Sequence, residues 1–185
     1  MTPVFTIGHG NRSIEEFMVL LREAGIECLV DVRAYPVSRR HPQFARESLE
    51  KSLADTGVRY VWEGKALGGR RMLVQDSPHV ALRNGGFRAY ADHMMKDEFR
   101  DGLDRLIQLG RSERAAIVCA ERLPWQCHRY LLADSLAARG LRVLHLMSPG
   151  KRLEHTLSPL ARNDGGRLVY DAGEQLGLGL EIGDK

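Results

Sequence analysis

Three short, mostly apolar runs constrain this chain more than anything else in it: Val4-Phe5-Thr6-Ile7, Glu27-Cys28-Leu29-Val30-Asp31-Val32 and Ala115-Ala116-Ile117-Val118-Cys119. Runs of this length, set between polar segments, are the pattern of strands buried on both faces. Val58-Arg59-Tyr60-Val61-Trp62 and Arg142-Val143-Leu144-His145-Leu146 are two further strand candidates. Between the runs, apolar residues recur at helical spacing. Ser13-Ile14-Glu15-Glu16 has the capping-box pattern of a helix start, and Ile14, Phe17, Met18 and Leu21 form its stripe. Further helices are expected over residues 46–55, through Phe87, Tyr90 and Met94 on to Phe99, Leu103, Leu106 and Ile107, and over residues 127–139. This alternation predicts an α/β fold: a single-domain, Rossmann-like three-layer sandwich around a mostly parallel sheet of about five strands. The domain is expected over residues 1–150. Residues 151–185 read as a C-terminal extension with a short element at 167–171 and a loose, glycine-rich tail.

Composition narrows the class. The 185 residues, 43% apolar and 28% charged, are enough for one core and exclude disordered or collagen-like chains. No apolar run nears the roughly 20 residues of a membrane helix. The start, Met1-Thr2-Pro3-Val4-Phe5, lacks the basic region of a secretory signal. Three cysteines without tight spacing make no disulfide framework, so a cytoplasmic setting is expected.

In parallel α/β sheets ligands bind beyond the carboxyl ends of the strands, so the loops after each strand carry the functional information. Those loops contain Gly8-His9-Gly10-Asn11-Arg12, the stretch from Arg33 through Ser38 and Arg39 to Pro42, Gly68-Gly69-Arg70-Arg71, and Glu121 through Trp125 to Cys127-His128-Arg129. Of 27 basic residues, 22 are arginine, and they are unevenly spread: segments 8–13, 33–46, 63–71 and 119–130 together carry +8, leaving −5 for the rest of a chain whose net charge is +3. Such an edge attracts anions, and phosphate is the commonest biological one. Tyr35, His41, Phe44, Trp62 and Trp125 interleave with the arginines, which suits stacking on nucleobases.

The same loops hold the reactive side chains. Cys127 falls where a helix begins beside His128 and Arg129, a position that favours a thiolate, so Cys127 is a candidate nucleophile with His128 or His9 as base and Glu121 as orienting group or general acid. Cys119 reads as a small apolar filler at a strand end and Cys28 as core. The Cys-x7-Cys-His spacing matches no common zinc module, and adjacent Cys and His rarely bind one ion, so no metal is expected. Thiol phosphatases and rhodaneses place a glycine-containing anion loop between Cys and Arg; Cys119 and Arg129 are ten apart with no glycine between. Gly8-x-Gly10-x-x-Ser13, with Asp31 23 residues beyond Gly8, approaches a dinucleotide fingerprint but lacks its third glycine. Asp31 is better matched to Arg33, Arg12 or a loop amide, and no cofactor is assigned.

Taken together, Thr6-Ile7-Gly8-His9-Gly10, Asp31-Val32-Arg33-x-x-Pro36-x-Ser38-Arg39, Leu67-Gly68-Gly69 and Cys119-x-Glu121-x-x-Pro124-x-x-Cys127-His128-Arg129 resemble the prokaryotic domain-of-unknown-function family 488. The resemblance runs from about Val4 to Leu146 and implies a compact α/β domain whose signature blocks are these strand-end loops. Gly10 departs from the His-Ser pair expected after residue 9. The family carries no established activity across.

The expected function is therefore an enzyme acting on a phosphate-bearing small molecule or nucleic acid. Arg12, Arg33, Ser38, Arg39, Arg70 and Arg129 are the candidate anion-binding residues, and His9, Asp31, Glu121, Cys127 and His128 the candidate catalytic ones. A non-catalytic nucleotide or nucleic-acid module and a thiol redox or metal sensor are the alternatives.

Overall fold

The computed structural model describes residues 2–171. Its elements, in chain order, are β1 (Val4–Gly8), α1 (Ile14–Glu23), β2 (Cys28–Asp31), α2 (Arg46–Ala54), β3 (Arg59–Trp62), α3 (Gly64–Leu67), α4 (Gly85–Met94), α5 (Asp97–Ser112), β4 (Ala115–Cys119), α6 (Arg129–Ala138), β5 (Val143–Ser148), β6 (Lys151–Glu154), β7 (Ala161–Asp164) and β8 (Arg167–Tyr170). Six strands form one sheet in the order β3-β2-β4-β1-β5-β6, the first five parallel and β6 antiparallel to β5. β7 and β8 make a separate hairpin.

Side chains that alternate along each buried strand divide into two cores, which makes the three layers. Phe5, Ile7, Leu29, Ala116, Val118 and Leu144 pack with Phe17, Leu20 and Leu21 of α1 and Leu49 and Leu53 of α2. Val4, Cys28, Val30, Ile117 and Val143 pack on the other face with Tyr90, Phe99, Leu103, Leu106, Leu132 and Leu136 of α4, α5 and α6. The predicted capping box opens α1: Glu16 N–H donates to Ser13 Oγ and Ser13 N–H to the Glu16 carboxylate. Asn84 caps α4 with its side chain alone, accepting from the amides of Gly86 and Phe87.

The sheet has one strand more than the sequence announces. Lys151-Arg152-Leu153-Glu154 is exposed at every position, so β6 carries no apolar run to betray it. The short element expected at 167–171 is β8, whose Leu168 and Tyr170 are buried against the α4–α6 layer. The expected loose tail falls on residues 172–185, outside the described ones.

Topology places the functional edge. α1 leaves β1 on one face of the sheet, whereas α6 leaves the neighbouring β4 on the other. Adjacent strands that send their chains to opposite faces open a crevice beyond their carboxyl ends. Here it lies between His9, after β1, and Cys119, the last residue of β4. His9 N–H donates to Cys119 O at 3.0 Å and Gly10 N–H to Ala120 O at 2.7 Å, holding its two walls together. Gly8 makes the approach possible, since a Cβ there would stand 1.8 Å from Glu121 O.

Candidate functional site

The cluster at this edge is built around Cys119 Sγ. The Glu121 carboxyl stands 3.1 Å from it and His128 Nδ1 3.8 Å. On the far side of the imidazole, His128 Nε2 lies 3.2 Å from Val32 O. A carbonyl only accepts, so Nε2 carries a proton and Nδ1 is the nitrogen turned to the thiol. The His128 ring rests edge-on against Tyr90, centroids 4.9 Å apart, and Tyr90 O–H is fixed by Leu67 O at 2.8 Å. Cys127, the expected nucleophile, donates to Pro124 O at 3.8 Å and completes the group: the donor atoms of Cys119, Cys127 and His128 all lie within 4.8 Å of one another. The pairing of an extended Cys127 with a helical His128 lets two adjacent residues reach one point. These three side chains are the ones among the described residues that could together hold a metal ion.

Electrostatics separate the two thiols. Cys119 is held well below the ordinary thiol value, first by the Cys127 thiol facing it and, against its burial, by His128 and Arg129. Cys127 is pushed well above that value by burial and by the negative charge of Cys119. His128 is raised: burial, the largest single influence, opposes its charge, but Cys119, Glu121 and the Val32 carbonyl together outweigh it. Glu121 is exposed as a residue, yet its carboxyl turns back against Cys119, and burial there together with the thiolate pushes it up to about 7. The thiolate-favoured cysteine is thus Cys119, which the sequence reads as filler. Its place at the end of the central strand, two residues before Glu121, was the available signal.

The other expected site residues fall into three groups. Asp31 and Arg33 are buried and spent on each other: Arg33 Nε contacts both Asp31 oxygens at 2.9 and 3.1 Å, its Nη1 donates to Phe44 O at 2.8 Å, and Tyr60 O–H donates to Asp31 at 2.7 Å. Arg12 is buried too, donating to Gly8 O at 3.1 Å and Met147 O at 2.6 Å. Arg129 reaches Glu121 O at 3.2 Å and Arg122 O at 3.3 Å and so ties down the loop after β4, while its Nε and Nη1 have no protein partner among the described residues. Ser38 Oγ accepts from His41 N–H at 2.9 Å, bracing its own loop. His9 is buried, stacked on Phe44 with centroids 4.5 Å apart, and lowered chiefly by that burial. Arg39 and Arg70 alone are exposed, without a carboxylate partner among the described residues; Arg70 lies 5.9 Å over the Tyr35 ring. The amides of Arg122 and Leu123, just past the thiol, donate to no protein acceptor among the described residues.

Fold and cluster together define a doubly wound α/β protein with a Cys–His–Glu centre at the switch point of its sheet. The chain belongs to the family described as domain of unknown function DUF488, whose model matches residues 13–136, more than half of it. No curated protein and no solved structure matches the chain. No helix among the described residues is long and apolar enough to cross a membrane.

Proposed function

We propose that this protein is a thiol-dependent enzyme acting on a phosphate-bearing substrate, a nucleotide or nucleic acid, with Cys119 as its nucleophile. The observation that carries the reading is the set of contacts at Cys119 Sγ: Glu121 at 3.1 Å and an imidazole whose other nitrogen is fixed on Val32 O. A low-pKa thiolate beside a cationic imidazole and a carboxylic acid poised near neutrality has the parts for nucleophilic displacement with protonation of the leaving group. Exposed Arg39 and Arg70, the stacking faces of Tyr35 and Trp125, and the unpartnered amides of Arg122 and Leu123 support an anionic, aromatic substrate.

In the step this implies, the Cys119 thiolate attacks phosphorus, the S–P bond forms and the P–O bond to the leaving group breaks. Glu121 gives its proton to the departing oxygen. Water or an alcohol then attacks the cysteinyl phosphate, Glu121 takes a proton from it, and the thiolate returns. Aryl phosphate mono- and diesters, with and without a nucleoside, test this by product release and by intact mass. The expected result is a phosphorylated Cys119 and turnover that falls by more than about 10³-fold in Cys119→Ser. Full turnover in Cys119→Ser overturns the reading. Salt-sensitive binding of a single-stranded oligonucleotide with no adduct and no turnover points instead to a binding module.

A further inference from the structure

The Cys-x7-Cys-His spacing matches no common zinc module, which weighs against a metal in the sequence, but the fold brings these three side chains together. We propose that Cys119, Cys127 and His128 form a binding site for a soft or borderline cation, with zinc as the divalent ion that best fits the set.

Four observations converge on this. The three donor atoms lie within 4.8 Å of one another, and the Cys119 Sγ to His128 Nδ1 separation is 3.8 Å. With bond lengths of about 2.3 Å to sulfur and about 2.0 Å to nitrogen, the ligand-to-ligand edge of a tetrahedral zinc site is about 3.5–3.8 Å, so small side-chain movements close the site. The imidazole is oriented as a ligand should be: Nε2–H is committed to Val32 O, so Nδ1 faces the sulfurs and binds an ion on giving up its proton. The surroundings are dry, with Cys119 and Cys127 3% and 5% exposed. The Tyr90 ring packs against the imidazole, and Gly69 approaches it so closely that a Cβ there would stand 2.8 Å from Nδ1.

Two thiolates and an imidazole select zinc and its softer neighbours over magnesium or calcium, which prefer oxygen. The Glu121 carboxyl, 3.1 Å from Cys119 Sγ, contacts the set at one corner without belonging to it. The site does not rest on the nucleophile reading. Where both hold, they exclude each other in time, since an ion bound to Cys119 occupies the thiolate that would attack phosphorus. Metal uptake then silences the enzyme, and metal loss releases it.

The test uses the full chain stripped of metal by a chelator under reducing conditions. Zinc is titrated in competition with a chromophoric chelator, and cobalt(II) is added in parallel for its spectrum. The expected result is one equivalent of zinc and a cobalt complex with a thiolate-to-metal charge-transfer band and the intense visible absorption of tetrahedral coordination. Affinity should fall at least tenfold in Cys127→Ser and in His128→Gln. The cobalt spectrum of the unaltered protein reads thiolate ligation directly, so the test survives a variant that fails to fold. A cobalt spectrum without the thiolate band, or affinity unchanged in Cys127→Ser, overturns the site. Alkylation of Cys119 in the metal-free protein separates the two readings. A reactive Cys119 without a cobalt–thiolate band removes the ion site and leaves the nucleophile, whereas a cobalt–thiolate band with an inert Cys119 does the reverse.

Discussion

Gly69 lies over the edge of the His128 ring, so near that a methyl group on its Cα would stand 2.8 Å from Nδ1. The Leu67-Gly68-Gly69 block, in the loop that follows β3 and α3, therefore sets the position of the imidazole. Gly69→Ala must move the ring, because carbon and nitrogen do not approach that closely without repulsion. The expected outcome is a Cys119 alkylation rate reduced about tenfold near neutral pH, through a weaker thiolate–imidazole pair, with little change in melting temperature. An unchanged rate would show that His128 does not govern the thiol.

Glu121 is the group whose ionisation should shape a pH profile. Its carboxyl is pushed up to about 7 by burial and the Cys119 thiolate. A general acid must be protonated to act, so kcat/KM for an aryl phosphate should fall as pH rises through about 7. In Glu121→Gln that limb disappears and the maximal rate drops about 10²–10⁴-fold. A profile with the same basic limb in the variant would assign it to another residue.

Asp31→Asn tests whether Arg33 is structural. The pair is buried, and no carboxylate other than Asp31 contacts Arg33 among the described residues. Removing the charge of one partner strands a buried guanidinium and costs about 3–5 kcal/mol. Urea unfolding should show a midpoint lowered accordingly. A variant of ordinary stability would mean that water or another group reaches Arg33.

A second buried chain of hydrogen bonds sets acid sensitivity. Thr6 Oγ1 meets His145 Nδ1 at 2.7 Å, His145 Nε2 meets His155 Nδ1 at 3.0 Å, and His155 Nε2 meets Asp134 at 2.8 Å. Tyr170 O–H also donates to Asp134, at 2.9 Å. With both histidines neutral every link is satisfied: Asp134 accepts from His155, His155 accepts from His145, and His145 accepts from Thr6. Burial, then His155 and Arg129, lower His145 to about 3. The folded state therefore binds fewer protons than the unfolded chain between about pH 6.5 and about pH 3, and stability falls as pH drops through that window. The contribution is absent above about pH 6.5, where neither state is protonated. Comparing urea midpoints from pH 7 to pH 5 in the unaltered protein and in His145→Asn measures it. Equal slopes in the two would remove His145 from the account.

Much of the fold was legible because burial writes itself into apolar runs. β1, β2 and β4 are buried at every position, and the Ser13–Glu16 capping box is a local pattern that needs no distant partner. β6 was not legible because an exposed edge strand of Lys, Arg, Leu and Glu is held by backbone pairing to β5 rather than by side-chain burial. In the site, counting charge picked out the loops beyond the strand ends but could not separate the arginines by duty. Arg12, Arg33 and Arg129 are buried and hold carbonyls or Asp31, whereas Arg39 and Arg70 remain exposed. Asp31 could be matched to Arg33 from their positions two apart at a strand end. The sequence favours Cys127 over Cys119 on its place at a helix start, and could not show that Cys119 is the thiol facing His128 and Glu121, because that depends on how residues 120–128 fold back over the strand end.

The edge has a buried part and an exposed part that can be altered separately. Cys119 and His128 sit on β4 and at the start of α6, against Tyr90 and the core, and cannot change without disturbing packing. Tyr35, Val37, Arg39, Arg70 and Met72 stand on exposed loops that neither core includes. On the proposed function, exchanging residues 35–41 or 70–74 is expected to change which ligands the edge takes, with little effect on stability, while Cys119 and His128 stay in place.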